Sequence, residues 1–210
     1  MFVNIFDGAF MQPFTELTAI AAPYYFPDID TDKIIPHVFL RKPLSAGYRN
    51  FLFYNQRFSP EGKIKSFILH DAPYDKAGIL VAGANFGCGS TREGAVYALM
   101  DFGFRAIIAP SFGDIFQSNC LQNGLLPVVL PADVVAQLAA HVEKHPDAKV
   151  SINLEKQVVT TPDGQSHKFA IDGVRKEQLL QGLDDIGITL TDSNLIDEFE
   201  KSYKSRHSWL

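Results

Sequence analysis

The chain has 210 residues, a formal net charge of −5 at pH 7, and 46% hydrophobic and 20% charged residues. This length and composition suit one globular domain, and an acidic balance without a basic cluster argues against nucleic acid as a partner. The first residues lack the basic segment and long apolar core of a signal peptide, and no uncharged apolar stretch is long enough to cross a bilayer. We therefore expect a cytoplasmic protein without membrane contact, a single domain over 1–210 in which 1–12 form a peripheral extension.

The cysteine content limits the metal chemistry of the chain. Cys88 and Cys120 are the two cysteines of the sequence, so no disulfide framework is indicated. Two thiols also fall short of the three or four that hold an iron–sulfur cluster. The six histidines show no recognisable metal-binding spacing. We expect no metal or cofactor to be bound by this chain.

The N-terminal third predicts little regular structure. Residues 14–22 mix polar and apolar side chains, as an edge strand does. Asp28, Asp30 and Asp32 follow, but the glycine and terminal glutamate of a calcium loop are absent. This segment predicts a solvated turn that caps the next element. Residues 44–50 predict a mobile loop.

The central segment predicts a βαβ unit. Residues 78–82 are an apolar run typical of a buried strand, and 93–102 predict a helix that Gly103 ends. Residues 105–109 predict a second strand parallel to the first. A glycine-rich loop, 83–92, connects the first strand to the helix.

This loop combines groups suited to binding a small, oxygen-rich acid. Its glycines, Gly87 and Gly89 among them, leave room for a ligand or another backbone. Ser90 and Thr91 offer hydroxyls near the helix start, where anions are favoured, and Arg92 offers a guanidinium fork for a carboxylate. Asn85 adds an amide that donates or accepts. Taken singly, each hydroxyl is more often only a helix cap, and Cys88 a small buried side chain.

The loop is neither a Rossmann fingerprint nor a P-loop, because Arg92 stands where the third glycine belongs and the Lys-Ser/Thr pair is missing. The remaining sequence predicts further regular elements in chain order: a helix near 112–122 ended by Gly124, a strand over 125–130, a helix capped by Asp133 with an apolar stripe, a β-hairpin within 150–171, and short helices over 176–181 and 194–203.

Asn85 to Glu93 resembles the NFGCGSSRE signature of the 3-isopropylmalate dehydratase small subunit, the counterpart of the swivelling domain of aconitase. The resemblance continues at 30–36, which is similar to the family's DTDxIIP motif, and at 182–190, similar to GLDxIGxTL. It covers nearly all of the chain from about Glu16 onward. It implies an α/β fold of the aconitase swivelling-domain type (β/β/α), with a central mixed sheet, flanking helices, and a C-terminal β-hairpin plus helices.

The resemblance also implies a reaction and site residues. The family interconverts 2-isopropylmalate and 3-isopropylmalate through 2-isopropylmaleate, with a [4Fe–4S] cluster on a separate large subunit. The implied catalytic residues are Ser90 as base, Arg92 as carboxylate clamp, and the pair Thr31 and Asp32. Cys88 is a reserve base on chemical grounds alone, because a thiolate forms more easily than an alkoxide. The implied substrate-binding residues are Thr91, Asn85, Gly87, Gly89, Arg41 and Asp30, Arg41 lying in the segment that selects the substrate's side chain.

Two features leave the substrate open. Gly94 and Val96 replace the His and Pro of the family's signature, and Arg41 is charged. Related hydro-lyases acting on citraconate or methylmalate, dimethylmalate or homoaconitate remain alternatives, as do a non-catalytic carboxylate- or phosphate-binding module and a structural partner subunit. Tyr24, Tyr25 and Phe86 are predicted contacts to the large subunit.

Overall fold

The computed structural model describes residues 11–89, 91–207 and 209. The predicted base, Ser90, and most of the predicted N-terminal extension therefore lie outside the described residues. Within the described ranges, no helix combines the length and apolarity that a membrane span requires.

The described residues form one mixed sheet of seven strands. The strands are β1 (Glu16–Tyr24), β2 (Ile79–Ala82), β3 (Ala106–Ala109), β4 (Leu126–Val129), β5 (Lys149–Asn153), β6 (Val158–Thr160) and β7 (Ser166–Lys168). Their order is β4-β3-β2-β1-β5-β6-β7. The first four are parallel, and β5 to β7 continue the sheet in antiparallel pairs. The predicted central mixed sheet and C-terminal hairpin are present.

The predicted edge position of β1 is wrong. β1 is the middle strand, pairing Ala21 with Ile79 of β2 and Ala19 with Val150 of β5. Its first half, which pairs with β5, carries exposed polar side chains, whereas its second half is largely buried beside β2. The polar first half therefore gave a central strand the mixed pattern of an edge strand.

Helices cover both faces of the sheet. They are α1 (Thr31–Ile34), α2 (Tyr54–Arg57), α3 (Gly94–Phe102), α4 (Asp114–Asn123), α5 (Ala132–Lys144), α6 (Gly173–Gln181), α7 (Asp185–Thr191) and α8 (Ser193–Arg206). Side chains of β2 alternate between two apolar clusters: Leu80 joins the cluster of α3 and α4, and Val81 joins that of α5. Because both faces are buried, β2 reads as a continuous apolar run.

The predicted helix ends are confirmed where a glycine follows the helix, but the predicted N-terminal caps of two helices are wrong. Gly103, Gly124 and Gly182 follow α3, α4 and α6 with positive φ, as predicted. Pro131 rather than Asp133 precedes α5, so Asp133 lies in the first turn and is not the cap. Helix α3 begins at Gly94, so Thr91 precedes it by three residues and is not its cap.

Candidate active site

The loop after β2 is held against the loop after β1 at the carboxyl edge of the parallel strands. The backbone N–H of Gly87 donates to the carbonyl of Ile29 over 2.7 Å, and that of Thr31 donates to the carbonyl of Cys88 over 3.1 Å. Asp30 and Cys88 form a parallel bridge. Main-chain hydrogen bonds therefore fix the loops after β1 and β2 side by side, although these two parts of the predicted site are far apart in the sequence.

The loop after β3 flanks the same glycine-rich segment on its other side. The N–H of Phe86 donates to the carbonyl of Ser111 over 3.1 Å, and the N–H of Gly113 donates to the carbonyl of Phe86 over 3.0 Å. Three loops thus extend the pairing of β1, β2 and β3 beyond the sheet, with the glycine-rich loop in the centre. Main-chain hydrogen bonds on both sides hold a loop rigidly enough to position side chains.

Packing requires some of the glycines in this loop. Gly87 has φ +75°, and a Cβ atom there would overlap the ring of the buried Phe116. A Cβ atom at Gly113 would lie 2.7 Å from the carbonyl oxygen of Gly87. Gly89 has φ +95°, but a Cβ atom there would only touch Asp30, at 3.7 Å. The glycine is therefore required at Gly87, but by an aromatic side chain of the core and not by the ligand or backbone that the sequence predicted there.

Asp30 and Thr31 begin the short helix α1. Asp30 is its N-cap, and its Oδ1 accepts a hydrogen bond of 2.7 Å from the N–H of Lys33. Thr31 is buried, with a relative exposure of 1%. The acid-rich segment therefore does form a capping turn, as predicted, and this turn projects the next residue, Asp32, outward.

Arg92 and Asp32 form an ion pair across the two loops. Nη1 of Arg92 donates to Oδ1 of Asp32, and Nδ1 of His37 lies 4.0 Å from the same oxygen. The hydrogen bond from Arg92, with a further contribution from its charge and from His37, lowers the pKa of Asp32 below its usual value. The Arg92 side chain is 24% exposed and that of Asp32 is 53% exposed. Two of the predicted catalytic side chains therefore meet at the surface.

Asn85 and Thr91 lie in the same loop but make different contacts. Asn85 has φ +58°, its Nδ2 donates to Oδ1 of Asp28 over 2.7 Å, and its N–H donates to Oγ of Ser111 over 2.8 Å. Thr91 is exposed, and its carbonyl accepts from Nδ2 of Asn119 over 3.5 Å. Asn85 thus links the three loops through hydrogen bonds. The sequence predicted a contact with substrate and not this structural role.

Sequence reasoning missed three supporting side chains, Asp28, Ser111 and Asn119, which contact the loop from elsewhere in the chain. Asp28 has φ +53°, a left-handed conformation that Asp and Asn tolerate better than most residues. The closely spaced Asp residues after β1 and Asn85 in the glycine-rich loop were a signal for such turns, but they do not indicate which side chains pair.

Cys88 is poorly suited to act as a thiolate. It is half-buried, and burial together with the neighbouring carboxylates of Asp30 and Asp28 raises the pKa of its thiol. Cys120 is buried within α4, and burial raises its pKa well above the usual value. Both thiols are therefore held neutral at physiological pH.

The family resemblance implies an iron–sulfur cluster on a separate large subunit, and the metal-ligating side chains of this chain do not fit such a cluster. A cluster is held by three or four thiolates, whereas the sequence has two cysteines whose pKa values are both raised. In the part of the chain that the structure describes, no three His, Cys, Asp or Glu side chains come together as metal ligands.

Leu40 and Gly94 connect the 37–42 segment to the site. Gly94 is the first residue of α3, and a Cβ atom there would lie 2.7 Å from Cδ2 of Leu40. Gly94, where the family's signature has His, thus makes room for the Leu40 side chain. Arg41, predicted to contact substrate, is exposed beside it.

The predicted contacts to the large subunit are partly wrong. Tyr24 and Phe86 have relative exposures of 7% and 0% and belong to the core, because Tyr24 ends β1 facing inward and Phe86 packs on Phe116. Tyr25 is exposed, as is Phe26 beside it. Tyr25 thus keeps the exposure that a contact to the large subunit requires. Phe26, which the sequence did not predict as a contact, is exposed beside it.

The fold and the convergence of loops define a class of protein, the C-terminal domain of aconitase, whose family model matches residues 11–133. A second model, LeuD_N, matches 136–173, and a third, for the C-terminal domain of the 3-isopropylmalate dehydratase small subunit, matches 185–210. The chain belongs to the 3-isopropylmalate dehydratase small subunit family.

Individual relatives agree with this assignment. The 3-isopropylmalate dehydratase small subunits of Cereibacter sphaeroides and Rhodospirillum rubrum are 46% and 48% identical to the chain over 201 residues, covering 95% of it and 100% and 97% of their own lengths. A crystal structure titled 3-isopropylmalate dehydratase from Methanocaldococcus jannaschii has a TM-score of 0.61 and 28% identity, and the match covers 88% of this chain and 99% of that one.

Proposed function

We propose that this chain is the small subunit of 3-isopropylmalate dehydratase and interconverts 2-isopropylmalate and 3-isopropylmalate, through 2-isopropylmaleate, in leucine biosynthesis. The observation that carries the proposal is the Arg92–Asp32 pair, which main-chain hydrogen bonds hold at the converging loops of a family member. The substrates are small hydroxy acids with two carboxylates, and a buttressed guanidinium at a loop surface is a natural receptor for one of them.

The proposed role of Arg92 follows from its geometry. A guanidinium has five N–H donors, so the bond from Nη1 to Asp32 leaves others for a substrate carboxylate. The ionised Asp32 fixes the orientation of that fork. The buried Thr31 and the N-cap Asp30 hold α1, and therefore Asp32, in place. Thr91, Asn85, Gly87, Gly89 and Arg41 complete the proposed substrate-binding set.

Ser90 is the proposed base. Dehydration requires that a proton leave one carbon while hydroxide leaves its neighbour, and the proposal has Oγ of Ser90 take that proton. A serine hydroxyl does so only where positive charge and hydrogen-bond donors stabilise the alkoxide. Ser90 lies between Gly89 and Thr91, two positions before Arg92 in sequence. The neutral, partly buried Cys88 is a weaker alternative.

A large subunit is the partner that a small subunit implies, and we propose that it carries the [4Fe–4S] cluster. The cluster would supply the Lewis acid that withdraws hydroxide, and the thiols of this chain do not fit it. The proposal further treats residues 1–210 as a single swivelling domain, with 1–12 peripheral, that works in the cytoplasm.

One contact in the structure favours a substrate with an isopropyl side chain over homoaconitate-type substrates, whose side chain is charged. Leu40 places an apolar side chain against the start of α3, two residues after Arg92. An apolar wall at this point suits an alkyl group and disfavours a buried carboxylate. Citraconate or methylmalate and dimethylmalate share the apolar requirement and are the substrates to compare.

The test is turnover of 2-isopropylmalate while the chain is titrated into anaerobic, cluster-loaded large subunit. Saturable formation of the unsaturated acid is expected. Ser90→Ala should lose nearly all turnover, and Arg92→Lys should lose roughly 10²-fold because a point charge cannot reproduce the fork. Arg105→Lys is the matched control and should retain activity, because Arg105 precedes β3 and the site lies beyond the other end of this strand.

Each other outcome has a distinct meaning. Turnover that survives Ser90→Ala would remove the serine from its proposed role. Turnover confined to citraconate or dimethylmalate would preserve the site and change the substrate. Association without turnover on any of these acids would contradict the proposed function and favour a non-catalytic carboxylate-binding module.

A further inference from the structure

The two C-terminal helices, α7 and α8, expose an apolar surface. We refer to them together as the C-terminal arm, Asp185–Arg206. In the described chain no residue of α8 is buried, and Leu195 and Phe199 are 64% and 62% exposed. Their neighbours Ile196 and Tyr203 are exposed as well. A helix of a globular domain normally buries such side chains against a core.

The apolar side chains of α8 form one stripe. Leu195, Ile196, Phe199 and Tyr203 recur at helical spacing, and the rings of Phe199 and Tyr203 stack with centroids 5.7 Å apart. The opposite face carries Asp197 and Lys201. The helix is therefore amphipathic, with a continuous apolar stripe that faces solvent, and this is the pattern of a surface awaiting a partner.

The arm begins beside the proposed active site. Oδ1 of Asp185, the first residue of α7, accepts from Nε2 of Gln178 over 2.8 Å and lies 3.4 Å from Nη1 of Arg175. A cavity of about 290 Å³ at this point is lined by Ile186 of α7 and by Glu93, the residue after Arg92. The first turn of α7, where the arm begins, thus shares a cavity with the residue that follows Arg92.

We propose that the apolar stripe of α8 docks into an apolar groove of the large subunit, with Leu195, Phe199 and Tyr203 as anchors. The proposal rests on the proposed function, since it names the partner of that same site. The start of the arm beside Glu93 favours the large subunit, which must approach the adjacent Arg92 to bring its chemistry to the substrate. A second copy of this chain would cover the stripe but would supply nothing to the site.

The family models point the same way. The aconitase domain model ends at residue 133, whereas the model that matches 185–210 is specific to the small subunit, and this range contains the whole arm. The arm therefore belongs to what a small subunit has in addition to the aconitase domain. A helix laid in a groove gives a separate chain the contact area that the small polar site cannot provide.

The test compares two double-alanine variants of the same helix. Leu195→Ala with Phe199→Ala removes two anchors, and Asp197→Ala with Lys201→Ala removes two side chains of the opposite face. Alanine favours helix and none of these residues is buried, so both variants should unfold at the wild-type temperature. The Kd for the large subunit, measured by calorimetry on the full-length chain, should rise on the order of a hundredfold for the first variant and stay unchanged for the second.

Further readouts separate this inference from the proposed function. At saturating concentration the anchor variant should reach the wild-type kcat, and Ser90→Ala should bind normally without turnover. Equal Kd values for the two double variants would overturn the docking proposal while leaving the site proposal intact. It would also be overturned if the isolated chain formed a dimer that only the anchor variant disrupted, with binding to the large subunit unaffected. Absence of turnover with normal, stripe-dependent association would contradict the proposed function alone.

Discussion

Arg92 and Asp32 couple the site to pH. The carboxyl of Asp32 has a lowered pKa because Arg92 donates to it and lies beside it as a fixed positive charge. A carboxyl whose pKa is lower in the folded chain than in the unfolded chain stabilises the fold above its unfolded pKa. That contribution is lost as the pH falls through the folded value. Since half of Asp32 is exposed, solvent screens the pair and limits the contribution to at most about 1 kcal/mol.

We therefore predict a pH-dependent difference in stability between the wild type and Arg92→Gln. The difference in free energy of unfolding, from urea titrations, should be constant between neutral pH and about pH 5 and should shrink below about pH 4. In an Asp32→Asn background the same comparison should show no such dependence. A difference that persists undiminished at about pH 3 would mean that Arg92 stabilises the fold through contacts other than this carboxylate.

The second prediction concerns the reactivity of the Cys88 thiol, which depends on its pKa. Burial and the carboxylates of Asp30 and Asp28 raise the pKa of the thiol, so alkylation by iodoacetamide at pH 7 should be slow and should accelerate above about pH 9. Asp30→Asn retains an N-cap acceptor but removes one charge, and should increase the labelling rate at neutral pH. Cys120 is buried and contributes little labelling in the folded chain. Rapid labelling of the wild type at pH 7 would contradict this and would return Cys88 to consideration as a base.

The glycine-rich loop differs from an ordinary turn because its glycines are required for different reasons. Gly87 and Gly89 both have positive φ, but only at Gly87 would a side chain overlap a buried ring. Backbone strain costs about 1–2 kcal/mol for an L-residue in this conformation, and overpacking adds about 1–3 kcal/mol. Gly164, in the β6–β7 turn, has φ +85° and open space around it.

We predict that Gly87→Ala destabilises the chain by about 2–5 kcal/mol, whereas Gly89→Ala and Gly164→Ala each cost about 1–2 kcal/mol. Chemical denaturation of the three variants measures this directly. Turnover with the large subunit should fall for both loop variants and remain normal for Gly164→Ala, which lies in the distant hairpin. Equal destabilisation by all three substitutions would show that Phe116 moves aside and does not hold the loop.

Local signals in the sequence account for most of the elements. The apolar runs of β2, β3 and β4 and the glycines after α3, α4 and α6 are short-range features, and these elements were predicted with small shifts in their ends. The place of β1 in the sheet depends on pairing with β2 and β5 over long sequence separations, and its polar first half concealed its central position.

The site was predictable only in part. The approach of Asp32 to Arg92 was implied by family resemblance, since spacing along the chain does not bring two loops together. Asp28 and Asn85 pair through two left-handed backbone conformations that the sequence permits but does not specify. Tyr24 and Tyr25 are adjacent, and the end of β1 turns one inward and the other outward. The predicted role of Ser90 stays a prediction.

At the scale of the whole molecule, the proposed function assigns the iron chemistry to the large subunit, and iron removal tests this assignment. The chain offers two thiols, one of them fully buried in α4, so its fold should not depend on a bound metal. An iron chelator should therefore leave the unfolding temperature of the isolated chain unchanged, because a ligand stabilises a fold only when it binds the folded state. The same treatment of the assembled enzyme should abolish turnover.

Mixing experiments identify the subunit whose treatment with the chelator causes the loss of turnover. Chelated and dialysed large subunit mixed with untreated small subunit should be inactive, and treated small subunit with untreated large subunit should be fully active. Association of the two chains should persist in both mixtures, since the contacts proposed for the arm contain no metal ligand: Leu195, Phe199 and Tyr203 are an alkyl and two aromatic side chains. If the treated small subunit instead proved inactive, or if iron purified with the isolated chain, a metal site would have to exist on this chain and the assignment of the cluster to the partner would be wrong.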